Sequence, residues 1–226
     1  MQSGQMFVDY EEDKWYDENG LLEHLQNYDV ISFDVFDTLL FRKVDKPTDV
    51  FICVEKQTSC KGFSKKRKEA ERRAREKKQK DTGNNEVTLQ EIYQALPVEN
   101  NSNKSELMNA ELQVERSVCY ANCVLKRVVD TLIKRGQTVI AVSDMYLPKN
   151  EIQQLLSQNG YTALTDIYVS CEYGASKSDG NLYKVIWNKV GRKKTICHIG
   201  DNFYSDVFMA HKNTMNKTIY YIYKMV

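Results

Sequence analysis

Residues 28–40 read Tyr28-Asp29-Val30-Ile31-Ser32-Phe33-Asp34-Val35-Phe36-Asp37-Thr38-Leu39-Leu40. The run from Tyr28 to Phe33 is short, β-prone and apolar, and it ends abruptly at Asp34. Such a run predicts a strand covered on both faces, with its carboxyl end carrying a reactive group. Four further runs of this kind follow: Thr138–Ser143, Asp166–Ser170, Thr195–Gly200 and Thr218–Tyr223. Helical patterns lie between them. One is opened by Pro148 and closed by Gly160, a second spans 181–190, and a third spans 204–212. Strands alternating with helices predict an α/β fold, a doubly wound and mainly parallel Rossmann-like sheet.

The interval between the first two strands is different. Residues 44–137 are too many for one crossover and show no clear strand. Leu107, Ala110, Val114, Val118, Ala121, Leu125, Val128 and Leu132 recur at spacings of three and four. This stripe predicts one long helix, or two in line, stopped at Gly136. Thr88 with Glu91 three residues on predicts a capped helix to Leu96, and 100–103 reads as a loop. The organisation is therefore an acidic N-terminal extension over 1–27, a core of 28–43 and 125–226, and a helical cap over 44–124.

Charge divides along the chain although the total is nearly balanced, with 32 Lys and Arg against 31 Asp and Glu. Balance of this kind argues against nucleic-acid or membrane partners. Residues 9–29 hold eight acids and one base; residues 61–80 hold eleven bases and three acids. In the basic run, Glu69–Arg73, Glu71–Arg75 and Glu76–Lys80 stand at i,i+4 with Glu first, which favours a solvated helix over an anion grip. Trp15, Trp187 and the 14 tyrosines form no base-stacking cluster. Six scattered cysteines without a C-x-x-C pair suit free thiols in a reducing compartment, and the acidic N-terminal stretch does not read as a signal peptide, so a cytoplasmic location is expected. Cys119 and Cys123 share a helical face and His198 lies inside a strand; all three read as packed residues.

In a doubly wound sheet, ligands bind beyond the carboxyl ends of the strands. Those ends here carry Asp34, then Ser143-Asp144, then a downstream Lys177, then Gly200-Asp201-Asn202 with Asp206 five residues after Asp201. Brought together, carboxylates, a hydroxyl and a lysine suit magnesium and a phosphoryl group. As isolated features, Lys177 is also an ordinary lysine near a helix start, and Asp206 an ordinary acid in a first helical turn.

In this order and spacing the four motifs resemble those of the haloacid dehalogenase-like (HAD) hydrolase superfamily, over residues 28–212. The resemblance implies a magnesium-dependent phosphatase or phosphotransferase working through an aspartyl-phosphate. It implies Asp34 as nucleophile, Ser143 on a phosphoryl oxygen, and Lys177 neutralising charge. It implies magnesium held by Asp34, the Phe36 carbonyl, Asp201 and Asp206, with Thr38 and Asn202 beside the substrate. The 44–124 insert matches the superfamily's cap position, and Arg67, Arg72 and Arg73 within it, with Lys126 just beyond it, are candidates to meet an anionic group. One departure stands out. The second Asp usual in these phosphatases, two residues after the nucleophile, is Phe36 here. Loss of a general acid costs roughly 10²–10⁴-fold for a poor leaving group. Asp37 or Asp144 takes its place, or the leaving group needs no proton, or the chain only binds a phosphate ligand as a scaffold. Dehalogenases of the superfamily also lack that Asp, but they work without magnesium and have a less acidic fourth motif. The segments 33–38 and 143–148 further resemble a bacterial subgroup associated with surface-polysaccharide glycosyltransferases, which implies a sugar or polyol phosphate substrate and such an enzyme as partner.

Overall fold

The computed structural model describes residues 4–97 and 101–224. Its main sheet is built from β1 (Gly4–Asp9), β2 (Lys14–Tyr16), β3 (Val30–Asp34), β6 (Thr138–Ser143), β7 (Asp166–Val169), β8 (Ile196–Gly200) and β9 (Lys217–Lys224). The order across the sheet is β2-β1-β9-β8-β3-β6-β7. From β9 to β7 all neighbours are parallel, whereas β1 is antiparallel to both β9 and β2. The chain leaves β3 for β6 and β7 on one side and then returns to lay β8 and β9 on the other. β3 is thus where the winding reverses, and Asp34 sits at its carboxyl end.

Every residue of β3 is buried, as a central strand covered on both faces requires. Ile31, Phe33 and Val35 join the larger core beneath α1 (Glu18–Leu25), α6 (Cys123–Lys134) and α7 (Lys149–Gln158). Val30 joins Ile140, Val142 and Tyr168 in a second core beneath α9 (Asn181–Val190), in which Leu182, Tyr183 and Ile186 are fully buried. A π-helical segment, Phe203–Met209, runs into α10 (Ala210–Lys212) on that side, and α8 (Ser170–Tyr173) continues β7.

The insert is helical: α2 (Val50–Thr58), α3 (Phe63–Thr82), α4 (Leu89–Gln94) and α5 (Asn101–Val118). The capping box at α4 is present, with Thr88 and Glu91 bonded reciprocally. A small second sheet, β4 (Leu40–Arg42) against β5 (Cys119–Ala121), ties the insert's two ends together.

Five sequence expectations need correction. Cys119 and Cys123, read as packed residues on one helical face, lie on different elements, Cys119 in β5 and Cys123 exposed at the start of α6. Residues 4–25, read as an extension outside the core, supply two strands and a helix to it. The interval without a strand contains β5. The apolar stripe is broken there, because Asn122 caps α6 by accepting from the amides of Val124 and Leu125. Of the expected loop 100–103, residues 101–103 open α5 and Asn100 lies outside the described residues. Among the described residues no helix is long and apolar enough to cross a membrane.

Candidate active site

The strand geometry delivers the side chains in sequence. Asp34 ends β3 and is 5% exposed. The chain then folds back on itself: the Leu40 amide donates to the Val35 carbonyl at 2.8 Å and the Asp37 amide to the Leu40 carbonyl at 2.7 Å. The loop needs a left-handed residue at its tip, and Asp37 supplies it with φ of 62°. Asp tolerates that region better than most residues because its short polar side chain bonds locally. Thr38 is fully buried; its hydroxyl donates to Asp201 Oδ1 at 3.2 Å and its carbonyl accepts from Asn122 Nδ2 at 2.9 Å. Phe36 is half-buried, with the Arg42 guanidinium 4.0 Å from its ring centroid.

Lys177 arrives from the loop before α9 and is 4% exposed. Its ammonium pairs with Asp34 and lies 2.7 Å from Asp206 Oδ1. The loop is held by Asp144, whose two carboxylate oxygens accept from the amides of Lys177 (2.7 Å) and Ser178 (3.3 Å). Ser143, also buried, ends β6 beside β3.

Asp206 reaches the site because the segment after β8 is π-helical. Asn202 Oδ1 accepts from Ser205 N, and the Asn202 amide donates to Asp206 Oδ2 at 3.0 Å. Extra-wide turns of this kind recur at functional sites. Gly200 is obligatory here, since a Cβ at that position would lie 2.4 Å from the Asp206 carboxyl carbon. Asp206 is fully buried and is also met by His198 Nε2 at 3.3 Å, and His198 Nδ1 lies 2.8 Å from the Ser32 hydroxyl.

Electrostatics divides the carboxylates. Burial drives the Asp34 pKa well above the ordinary carboxylate value; Lys177 opposes the rise, and Asp206 and Asp201 add to it. Asp201 is pushed up to about 6 by burial and by its neighbours Asp206 and Asp37. Burial also works to raise Asp206, but the Lys177 charge and the His198 hydrogen bond outweigh it and hold Asp206 well below the usual range. Lys177 is disfavoured as a cation by burial, yet Asp206 and Asp34 keep its pKa well above normal. Burial lowers the His198 pKa while Asp206 opposes the shift, and the imidazole bridges Ser32 and Asp206.

Carboxylate oxygens of Asp34, Asp201 and Asp206 lie within 4.8 Å of one another. Asp34 Oδ2 is buried and has no hydrogen-bond partner among the described residues. A buried orphan oxygen is costly. Three hard carboxylates facing one ammonium leave uncompensated negative charge, which a small divalent cation such as magnesium fits. The residues present therefore suit the metal that the motif order implied.

The structure brings Asp34, Thr38, Lys177, Asp201 and Asp206 together. Asp144 is engaged as a brace for the lysine loop, and Asn202 as a helix cap. Asp37 is exposed, close enough to Asp201 and Arg42 for its charge to act on both. Arg67 is not available to a substrate: it is fully buried in the cap, with Nε and Nη2 on the Glu111 carboxylate at 2.8 and 2.9 Å. Arg72 is exposed and paired with Glu69 and Glu76, Arg73 is paired with Glu69, and Lys126 is engaged by Asp130. Residues the sequence reading passed over are His198, Ser32, Asn122 and Arg42. His198 is packed, as expected, but it packs against a site carboxylate. The signal was strand alternation: Ser32 precedes Asp34 by two residues and His198 precedes Gly200 by two, so each shares a face with the residue two places after it.

No family model matches the chain, and no curated protein resembles it significantly in sequence. Solved structures do share its architecture. A 2-haloacid dehalogenase from Pseudomonas syringae pv. Tomato DC3000 is 14% identical with a TM-score of 0.58, over 83% of this chain and 84% of that one. The HAD-hydrolase YfnB from Bacillus subtilis, solved bound to magnesium, is 12% identical with a TM-score of 0.55, over 84% and 87%. The HAD family enzyme bt-2542 from Bacteroides thetaiotaomicron is 12% identical with a TM-score of 0.55, over 84% and 92%. The chain therefore has the fold of the HAD-type hydrolases, a Rossmann-like core with a helical cap.

Proposed function

We propose that this chain is a magnesium-dependent phosphatase or phosphotransferase that uses Asp34 as its nucleophile. The observation that carries the proposal is the convergence of Asp34, Asp201 and Asp206, two of them paired with the Lys177 ammonium, with Asp34 Oδ2 lacking a hydrogen-bond partner among the described residues. A haloacid offers a single carboxylate and no phosphoryl group, which leaves this acidic set without a purpose. Magnesium held by Asp34, Asp201 and Asp206, with the Phe36 carbonyl, would supply positive charge to the phosphoryl oxygens.

The chain's own residues do the rest. Asp34 attacks phosphorus; its O–P bond forms as the bond to the leaving oxygen breaks. Lys177 balances charge on Asp34 and the phosphoryl group, and Ser143 hydrogen-bonds a phosphoryl oxygen. Positioning and charge stabilisation are what a loose phosphoryl-transfer transition state needs. Asp37, exposed beside Asp201, donates a proton to the leaving oxygen. It then takes one from the water, or from the acceptor hydroxyl, that attacks phosphorus and frees Asp34. Asp144 acts through Lys177, by fixing its loop. The substrate is a sugar or polyol phosphate.

The test is phosphate release from an aryl phosphate, with and without magnesium, by wild type and Asp34→Asn. Release that requires both the metal and Asp34 supports the reading. Equal rates for the two proteins, or release of halide from 2-chloropropionate in place of phosphate from the ester, would sink it.

A further inference from the structure

A cleft of about 500 Å³ opens between the cap and the core loop that follows Ser143. Its lining includes Arg42, Phe51, Lys68, Arg72, Arg75 and Tyr146. Two links join it to the carboxylate site. Tyr146 lies three residues beyond Ser143, and the Arg42 guanidinium rests on the ring of Phe36, two residues beyond Asp34. Four cationic side chains face two carboxylates, Glu71 and Glu115, on its walls. The acids are already engaged: Glu115 by Arg42 at 2.7 Å, and Glu71 by Arg75 at 2.8 Å and by the buried Arg67 at 3.0 Å. Arg72 turns to Glu69 and Glu76, acids that are not part of the cleft wall. Lys68 is exposed and forms no ion pair among the described residues. Phe51 and Tyr146 give the cleft an aromatic floor, fixed from behind by the Arg67 guanidinium, 4.5 Å and 4.7 Å from their ring centroids.

We propose that this cleft holds the end of the substrate remote from the transferred phosphoryl group, and that this end carries a second anion, a carboxylate or phosphate, bound by Lys68 and Arg72. The inference rests on the phosphotransfer reading of Asp34. An apolar floor under a cationic rim suits a polyol chain lying on aromatic faces with its terminal charge at the rim. Charge-assisted contacts of this kind are stronger than those to a hydroxyl.

The experiment compares 6-phosphogluconate with sorbitol 6-phosphate, which differ only in a carboxylate against a hydroxymethyl group at the far end. Calorimetric titration uses Asp34→Asn in the presence of magnesium, so that neither compound is consumed. The expected result is binding about tenfold tighter for 6-phosphogluconate. Adding Lys68→Gln or Arg72→Gln reduces that preference to about threefold or less. Equal binding of the two compounds, no binding of either, or a preference that survives both substitutions together overturns the proposal. Failure of the phosphotransfer reading is seen separately, in aryl phosphate turnover that does not depend on Asp34, since an aryl ester carries no second anion.

Discussion

The Lys177 ammonium lies 2.7 Å from Asp206 Oδ1 while also pairing with Asp34, and all three side chains are almost completely withdrawn from solvent. A buried cation between two carboxylates is costly to disturb from one side. Lys177→Met would leave two acids facing each other with no counter-charge. Removing one partner of a buried pair costs roughly 3–5 kcal/mol. The lower end applies here, because Asp34 is already driven toward its neutral form and can take up a proton. Urea unfolding at pH 7.5 should show this loss. Magnesium should restore part of it, since a ligand that binds only the folded state stabilises by mass action. A loss under about 1 kcal/mol would mean that the pairing is not what holds the site together.

Asp37 predicts a conflict between stability and turnover. Its φ of 62° is a left-handed conformation that glycine adopts without strain. Asp37→Gly should therefore raise unfolding stability by about 1 kcal/mol. The same change removes the proposed acid, so kcat on an alkyl phosphate should fall roughly 10²–10⁴-fold. An aryl phosphate, whose leaving group needs less protonation, should lose much less. Equal losses on the two esters would remove Asp37 from the proton-transfer role. Asp144→Ala should instead lower both together, because its carboxylate fixes the backbone of Lys177 and Ser178 and touches no proton in flight.

The apolar runs that ended in polar residues were legible because a strand buried on both faces leaves no other composition open to it. The β3, β6, β7, β8 and β9 segments each correspond to such a run within a residue or two. Asp34 and Asp201 stand at or just past strand ends, so placing the strands placed them. What stayed hidden depends on contacts distant in sequence. The acids at 9–12 read as part of an acidic N-terminal extension, yet Asp9, Glu11 and Glu12 all converge on Lys217, more than 200 residues later in the chain. Arg67 lies in a run of exposed bases and is buried only because Glu111 waits on another helix. β5 is three residues long, too short for alternation to register, and it interrupts a stripe that otherwise looks continuous. The basic helix behaves as its spacing suggested, with Glu69–Arg73 and Glu71–Arg75 paired, although Glu76 pairs with Arg72 rather than Lys80.

The Arg67–Glu111 pair leads to a different expectation from Lys177. Both side chains are within 1% of full burial, and Tyr93 donates to the same Glu111 carboxylate at 2.8 Å. This arrangement reaches the cleft through the rings of Phe51 and Tyr146 and through Glu71, which Arg67 Nη1 also meets at 3.0 Å. Glu111→Leu alone should cost roughly 3–5 kcal/mol by stranding the guanidinium, whereas Arg67→Met with Glu111→Leu should recover most of that loss. Urea unfolding of the two variants decides it. If the double variant is as unstable as the single one, the pair contributes shape or hydrogen bonding that apolar side chains cannot replace.

His24 gives the fold an acid-side weakness that can be measured away from the site. Its ring stacks on Tyr16 with centroids 4.9 Å apart, and its two nitrogens lie 3.2 Å and 3.4 Å from the Tyr16 and Tyr28 hydroxyls. Burial lowers its pKa below the ordinary histidine value of 6.5; Asp9 works in the opposite direction. In the unfolded chain the ring titrates near that ordinary value. Between the depressed folded value and 6.5, the unfolded state holds a proton that the folded state does not. Stability must therefore rise with pH across this window and be fully present above it, and it must fall as the pH drops through 6.5. His198, lowered by burial, acts with the same sign, so replacing His24 should reduce the slope without abolishing it. The measurement is urea unfolding at pH 7.5 and 5.5 for wild type and His24→Phe, where the ring packing is kept and the titration removed. The wild type should lose more stability between the two pH values than the variant does. An identical loss in both would show that His24 titrates alike in the folded and unfolded chain.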